Sequence, residues 1–508
     1  MAYLLGVDIG TSGTKTVLFD ETGKTISSAL FEYPLYQPKN GWAEQDPEDW
    51  WKATYETINE VLNKSGIKAT DVKGIGLSGQ MHGAVLLDAE DKPLRKAIIW
   101  CDQRSFRECE EITETIGKKE LIDITANPAL TGFTASKILW VRNNEPHIYE
   151  KIKKVLLPKD YIRFKLTGEY ATEVSDASGM QLMDISGRCW SNTVLDKLKI
   201  EKSWLGRMYE SQEVTGGLTK TASSLTGLPV GTPVVGGAGD QAAGAVGNGI
   251  VKKGVVSSTI GTSGVVFAHS DTVAIDPLGR VHTFCHAVPG TWHIMGVTQG
   301  AGLSLKWFRD NFCLDEKGTA AQMGIDPYEL MNTEANRAPA GSDGLIYLPY
   351  LMGERTPHLD PDARGVFFGI SAKHEKYHFV RSVMEGVVFS LMDCLSIIEG
   401  MGVSVNEVRA SGGGAKSPIW RQMQADMFSK DIVTINSSEG PALGVAILAG
   451  VGTGVYESVQ QACEAVISEK DRIKANAALK NTYNGNYQLY KNLYKSLKGN
   501  FGELAKLI

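Results

Sequence analysis

Apolar residues dominate YLLGVDIG (3–10), give way at the polar turn TSG, and resume in TKTVLFD (14–20). After DETGK the chain continues as TISSALFEYPLY (25–36). Two short glycine-bearing turns between such runs predict three antiparallel strands. The spacing then changes to that of a helix. Trp50, Trp51, Tyr55, Ile58, Val61 and Leu62 form one apolar stripe, Asp46 stands at the N-cap, Pro47 at the first helical position, and Gly66 ends the run. KGIGLSG (73–79) reads as a buried strand leading into the loop QMHG (80–83).

The pentapeptide IGTSG occurs at 9–13 and again at 260–264. Each copy follows an apolar strand (YLLGVD; VVSST) and precedes another (TKTVLF; VVFAH). The shared strand–turn–strand context predicts two related domains, 1–250 and 251–508, each opening with a hairpin. In the second half, HTFCHAVPGTWHIMGV predicts two strands around a turn, and AGLSLKWFRDNF an amphipathic helix. Residues 343–370 are loop-rich, and 377–402 form a long, largely buried helix ending at Gly400 and Gly402. VNEVRASGGGAKSPIWRQMQADMF predicts strand, glycine turn and helix, and Pro441 starts another helix in PALGVAILAG. The tail after about 465, with DRIKANAALKNTYNGNYQLYKNLYKSL, predicts a surface helix packing back on the second domain. Strands alternating with helices in both halves give an α/β fold.

Composition narrows the function classes. At 43% apolar and 22% charged residues, the 508-residue chain has the profile of a globular protein. A net charge of -6 leaves no basic footprint for nucleic acid or an anionic membrane. Seven cysteines are scattered without CxxC spacing, as in a reducing cytosol, and no zinc or redox motif is present. The N-terminal run meets an acid at position eight and lacks a basic start, so it reads as a strand rather than a leader. No apolar run reaches the ~18 residues of a membrane span. The expected location is cytoplasmic.

The chain has neither GxxxxGK[ST] nor a GxGxxG after its first strand. What it offers instead is the pair of IGTSG turns, whose successive backbone amides and hydroxyls can form anion nests. One such turn from each half suggests phosphates gripped from both sides of a cleft. That arrangement resembles the actin, sugar kinase and heat-shock ATPase superfamily, which implies two ribonuclease H-like domains around an interdomain cleft.

Asp8, at the end of the first strand, either steadies the turn or meets a cation. A buried carboxylate needs a partner, and magnesium carried on ATP phosphates, held through water, suits one acid plus phosphate oxygens. SGGGAKS (411–417) would let a flat base approach the backbone at Gly413 and Gly414. In GAGDQAAGAVG (237–247) a single acid, Asp240, stands among small residues after the strand PVVGG. It is either a helix N-cap or a base that small neighbours allow a substrate to reach. Phosphoryl transfer needs a group to orient a hydroxyl and accept its proton, and Asp240 fits that need.

With these residues placed, the chain resembles the FGGY carbohydrate kinase family from residue 3 to about 450. GFTASKILWVRNN (132–144) and GVFFGISAKHEKYHFVRSVMEGVVFS (365–390) resemble its two signatures. VDIGTSGTK, SGQMHG, WCDQR, LLPKDYIRFKLTGE, GGAGDQAAGAVG, LPYLMGERTPH and SGGGAKS resemble its ligand motifs. The resemblance implies Asp240 as proton acceptor with Asp8 supporting catalysis through Mg2+. It implies Thr11 and Ser12 as the first phosphate loop and Gly261 and Thr262 as the second. Gly302, Gly413 and Gly414 would line the nucleotide pocket, and Met81, His82, Asp240 and Gln241 would hold the sugar.

Glycerol-phosphorylating members carry Arg-Glu where this chain has Met81 and His82. The pair here suits a ketopentose, and the branch most resembled phosphorylates D-xylulose with ATP. Alternatives are another ketose or polyol (ribulose, rhamnulose, fuculose, glycerol) and a non-metabolic ATPase clamp of the superfamily. The family often forms homodimers, although no surface stripe demonstrates one here. Trp100, Asp102 and Arg104 receive no catalytic role.

Overall fold

The computed structural model describes residues 2–507. The first half holds β1 (Tyr3–Ile9), β2 (Gly13–Asp20), β3 (Thr25–Glu32), α1 (Pro47–Ser65), β4 (Val72–Gly79), α2 (Thr134–Asn144), α3 (Pro158–Thr167), β5 (Val214–Gly217), β6 (Pro233–Val235), β7 (Ala238–Gly239) and α4 (Asp240–Gly247). The second holds β8 (Gly254–Ile260), β9 (Gly264–Ser270), β10 (His282–Cys285), β11 (Trp292–Thr298), α5 (Gly302–Phe312), α6 (Lys376–Gly400), β12 (Val405–Ser411), α7 (Pro418–Phe428), β13 (Asp431–Ile435), α8 (Gly440–Gly452), β14 (Glu469–Ile473) and α9 (Lys480–Ala505). Shorter elements connect them.

The repeated pentapeptide marks a repeated topology. One seven-stranded sheet runs β5-β6-β4-β1-β2-β3, with β7 also paired to β4; the other runs β10-β11-β9-β8-β12-β13-β14. In both, a central strand (β1 or β8) pairs antiparallel with its hairpin mate and parallel with a later strand (β4 or β12). A further parallel strand (β6 or β13) extends each sheet.

Period-two alternation along β1 assigns its faces. Leu5, Val7 and Ile9 point into the core beneath α1, with Trp50, Ile58 and Val61. Helix α1 starts and stops as its caps dictate: the Asp46 side chain accepts from the Glu48 amide, and Gly66 takes φ 68°. Leu4, Gly6 and Asp8 occupy the other face, where α8 lies. Residues Ala442 to Gly450 of α8 are all buried, between the first sheet and α4. Although α8 belongs to the second half of the sequence, it covers the sheet of the first.

This contact is made by backbone. A Cβ on Gly6 would stand 1.9 Å from the Ala442 carbonyl oxygen, and one on Gly76 1.9 Å from that of Val445. Where α8 crosses α4, a Cβ on Gly444 would stand 1.9 Å from the Ala243 oxygen, and one on Gly247 1.9 Å from that of Gly440.

The tail departs from expectation. Glu469–Ile473 is an edge strand antiparallel to β13, and the helix begins only at Lys480. That helix packs back on the second half as expected, but more deeply than a surface element. It buries Tyr483, Tyr487, Tyr490, Leu493, Tyr494 and Phe501, and the Tyr483 and Tyr487 hydroxyls donate to Glu385 (3.0 Å) and Asp393 (2.6 Å) on α6. Among the described residues no helix is long and apolar enough to cross a membrane.

Gly76→Val tests the backbone contact. Forcing a branched side chain against the Val445 carbonyl is expected to remove about 3 kcal/mol of stability, read as a lower urea midpoint. The control is Lys73→Val, at an exposed position of the same strand, which should leave the midpoint nearly unchanged.

Candidate active site

The parallel strands β1, β4 and β7 end side by side, with Ile9 opposite Gly79 and Gly79 opposite Gly239. Their C-terminal ends release three segments together: the loop Gly10–Ser12, the loop QMHG and helix α4. Crevices at the carboxyl ends of parallel strands are where α/β sheets bind ligands. Asp8, the Met81–His82 pair and Asp240 are therefore neighbours although remote in sequence.

The first loop closes through the Gly10 amide onto the Gly13 oxygen (3.0 Å). A polar network fixes it. Tyr33 donates to the Gly10 carbonyl at 2.5 Å, Gln45 to the Thr11 carbonyl at 2.7 Å, and Trp100 Nε1 to Thr11 Oγ1 at 2.9 Å. Trp100 is 40% exposed. It thus borders the site as a support of the first loop, which is consistent with its having no catalytic role of its own. Asp102 and Arg104 do not border it. Their ion pair (2.7 Å) is 1% exposed on each side, and Asp102 also accepts the Ala43 amide at 2.6 Å.

Asp8 lies on the α8 face of β1, just past the point where the glycine contact ends. Burial raises its carboxyl above the usual range, against opposing effects of Ser78 and Lys15. Its Oδ1 is buried and has no hydrogen-bond partner. Lys15, opposite Asp8 in the β1–β2 ladder, pairs at 2.5 Å with Glu439, which precedes α8.

Asp240 is the first residue of α4, and Gly239, not Asp240, occupies the N-cap position. The carboxyl is raised to about 7, first by burial and then by the charge of Asp8, with hydrogen bonds involving Gln241 acting in the other direction. The small residues around it serve packing as much as access. Gly239 makes room for Met81, whose Cγ would be 2.9 Å from an added Cβ, and Gly247 meets α8. Gly244 and Ala245 do border open space: with Asp240 and Gln241 they line a cavity of about 780 Å³.

Met81 is buried among Phe133, Ala245, Phe284 and Met295. His82 is half-buried, with φ 70°. Its Nδ1 lies 2.8 Å from the Gly179 carbonyl. A carbonyl only accepts, so Nδ1 carries the proton and Nε2 is left as an acceptor. Burial, then the Lys137 charge, pushes the imidazole pKa down to about 3, so it stays neutral. Beneath the loop, Lys159 is fully buried beside Asp160 (2.8 Å), Asp176 (3.4 Å) and Glu173 (3.6 Å). A Cβ on Gly79 would stand 3.0 Å from that of Lys159.

The remaining expected residues gather in the second half. Gly261, Thr262, Gly302, Gly413 and Gly414 line a cavity of about 550 Å³ together with Leu303, Tyr328, Asn332 and Trp420. The Gly302 and Leu303 amides donate to the Gly261 and Thr262 carbonyls at 2.8 and 3.1 Å. Gly412, at φ 74°, and Gly414 press on Ile260, where side chains would clash. This cavity and the one beside Asp240 share Lys416. Thr11 and Ser12 line neither. Thr11 is held in the polar network, and Ser12 is exposed.

Residues 3–247 match the N-terminal domain of the FGGY family of carbohydrate kinases, and residues 256–453 match its C-terminal domain. The chain belongs to the FGGY family. This FGGY kinase is 40% identical over 498 residues to the xylulose kinase of Bacillus subtilis (strain 168), covering 98% of each chain. It is 37% identical to the xylulose kinase of Escherichia coli (strain K12), covering 97% of this chain and 99% of that one. A crystal structure of a "xyloylose kinase" from Brucella ovis superposes with TM-score 0.90 at 36% identity, covering 98% and 99% of the two chains. As an FGGY kinase it transfers a phosphoryl group to a carbohydrate, with ATP as the donor the family implies.

The Asp8–Asp240 coupling can be read directly. In the metal-free enzyme, carboxyl NMR should find Asp240 half-titrated near pH 7, protonated below and ionised above. In Asp8→Asn, with one repelling charge gone, that midpoint should move downward. An unmoved midpoint would mean that the two acids do not sense each other.

Proposed function

We propose that this enzyme phosphorylates D-xylulose at its terminal hydroxyl, using MgATP and giving D-xylulose 5-phosphate. The observation that carries the reading is that the Met81–His82 loop leaves β4 beside the start of α4, with Met81 packed against Gly239, the residue before Asp240. A thioether suits a carbon skeleton, and the neutral His82 Nε2 accepts one directional hydrogen bond from a hydroxyl. Neither can pair with a polyol as two charged side chains would. The xylulose kinases at 37–40% identity support the same substrate.

Asp240 acts as general base. Its carboxylate orients the attacking hydroxyl and takes its proton as the phosphoryl group arrives. A carboxyl raised to about 7 by burial and by Asp8 is a stronger base than an exposed one, yet remains substantially ionised near neutral pH. Gln241, next on the same helix turn, holds the sugar alongside it. The amides of Thr11 and Ser12 form the first phosphate cradle and that of Thr262, in the turn closed by the Gly261 amide, the second, and Gly302, Gly413 and Gly414 line the adenosine pocket.

Asp8 fits a magnesium role, because its buried Oδ1 has no protein partner. The ion would neutralise phosphate charge, held by Asp8 through water and by the nucleotide. No three His, Cys, Asp or Glu side chains converge on a protein-only metal site among the described residues. The first half, with α8 packed on its sheet, and the remainder of the second half are the two bodies that close over the sugar and exclude water. The seven cysteines, all unpaired, fit the cytoplasmic setting we propose.

ADP release is the test, measured with MgATP and D-xylulose, D-ribulose, L-rhamnulose, glycerol or D-gluconate. D-Xylulose should give the highest kcat/KM, and turnover confined to another acceptor would displace it. Asp240→Asn should cut kcat by ~10³-fold while ATP still binds in equilibrium titration. Near-normal turnover in that variant would remove Asp240 as the base.

A further inference from the structure

Lys137 is fully buried near the start of α2, yet its ammonium has no carboxylate within ion-pair distance among the described residues. It folds back over the helix N-terminus and donates instead to main-chain carbonyls. One is that of Gly132, a second that of Phe133 at 3.3 Å, and the third that of His82 at 3.0 Å. The hydroxyl of Thr134 donates to the same His82 carbonyl, also at 3.0 Å.

His82 is where this matters. Its φ of 70° lies in the left-handed region, which a side-chain-bearing residue enters only when its surroundings hold it there. The ring is fixed on two sides, by the Gly179 carbonyl on Nδ1 and by the edge of Phe133 at 4.9 Å. The carbonyl is fixed by Lys137 and Thr134. Phe133, Thr134 and Lys137 all belong to the first turn of α2 or its cap. One helix terminus thus grips both the ring and the main chain of the residue that aims an acceptor at the sugar.

We propose that Lys137 is a positioning residue for the sugar site: by joining the His82 carbonyl to the start of α2, it holds His82 in its left-handed conformation and so directs Nε2 toward the ketose. The inference rests on the reading of Met81 and His82 as sugar ligands. Burial lowers the Lys137 pKa to about 7, while Asp102, Cys109 and Cys101 oppose that shift. Three carbonyl acceptors match the three donors of the ammonium form. Lys137 is fully buried and reaches the site through the His82 carbonyl, so its effect is on affinity for the sugar and not on nucleotide binding.

Lys137→Met, Thr134→Val, His82→Ala and the double variant Lys137→Met/His82→Ala test this, with KM for D-xylulose and for ATP, kcat and melting temperature measured on each. Lys137→Met should raise the ketose KM about tenfold and leave the ATP KM within about twofold. Thr134→Val, which keeps the shape and removes only a donor, should move the ketose KM the same way by about threefold. In the double variant the ketose KM should be no higher than in His82→Ala alone, since Lys137 acts through His82. Equal rises in both KM values, or a further multiplicative rise in the double variant, would overturn the proposal. If Lys137→Met does not fold, Thr134→Val decides: an unchanged ketose KM would overturn it. An unchanged ketose KM in His82→Ala would instead remove the underlying sugar-site reading, and the proposal with it.

Discussion

The site depends on how closely α8 can approach the first sheet. Glycines at 6 and 76 let the helix backbone rest on β1 and β4, and glycines at 247 and 444 let α4 cross it at the same distance. Helix and strand meeting without side chains between them fixes the relative height of the two elements to a fraction of an ångström. Asp8 extends from one of these elements and Asp240 from another. Their separation is therefore set by main-chain contact, which has fewer ways to relax than interleaved side chains.

That separation has an electrostatic result. The two acids stand at the ends of parallel strands on either side of β4, both partly buried, and the charge of Asp8 adds to burial in raising the affinity of Asp240 for a proton. Lys15 tempers Asp8, but it is itself engaged by Glu439. The bare site is thus short of positive charge, which a cation arriving with phosphates would supply. Around it carbonyls, hydroxyls, amides and an unprotonated imidazole hold the loops, with the charges of Lys137 and of the Lys159 cluster buried behind them.

Much of this was legible in the chain. The strands of both hairpins and the cap signals of α1 were read from local pattern alone, because apolar alternation and Asp-Pro followed by Gly report backbone conformation directly. The repeated pentapeptide pointed to a repeated topology. Other features were hidden for physical reasons. The strand Glu469–Ile473 is almost wholly exposed and is held by Arg472 to Glu407 and Asp431 of the neighbouring strands, so it carries no apolar alternation. Pro441 announced the start of α8 but not which sheet the helix would cover. The small residues near Asp240 suggested room for a ligand, whereas Gly247 answers a neighbouring helix and Gly239 the Met81 side chain. Lys137 looks like any solvated lysine on a helix, since a cation served by carbonyls leaves no acidic partner for the eye to find.

The route of α8 also bears on how the protein is made. A nascent chain that has emerged from the ribosome only as far as its first sheet has α1 available for one face. The other face stays bare until residues 440–452 follow. The exposed strip of Leu4, Val17 and Phe19 then waits through most of translation for its cover. Until that helix arrives, the amino-terminal half is a sticky intermediate, so holding by a chaperone during synthesis has a definite target on it.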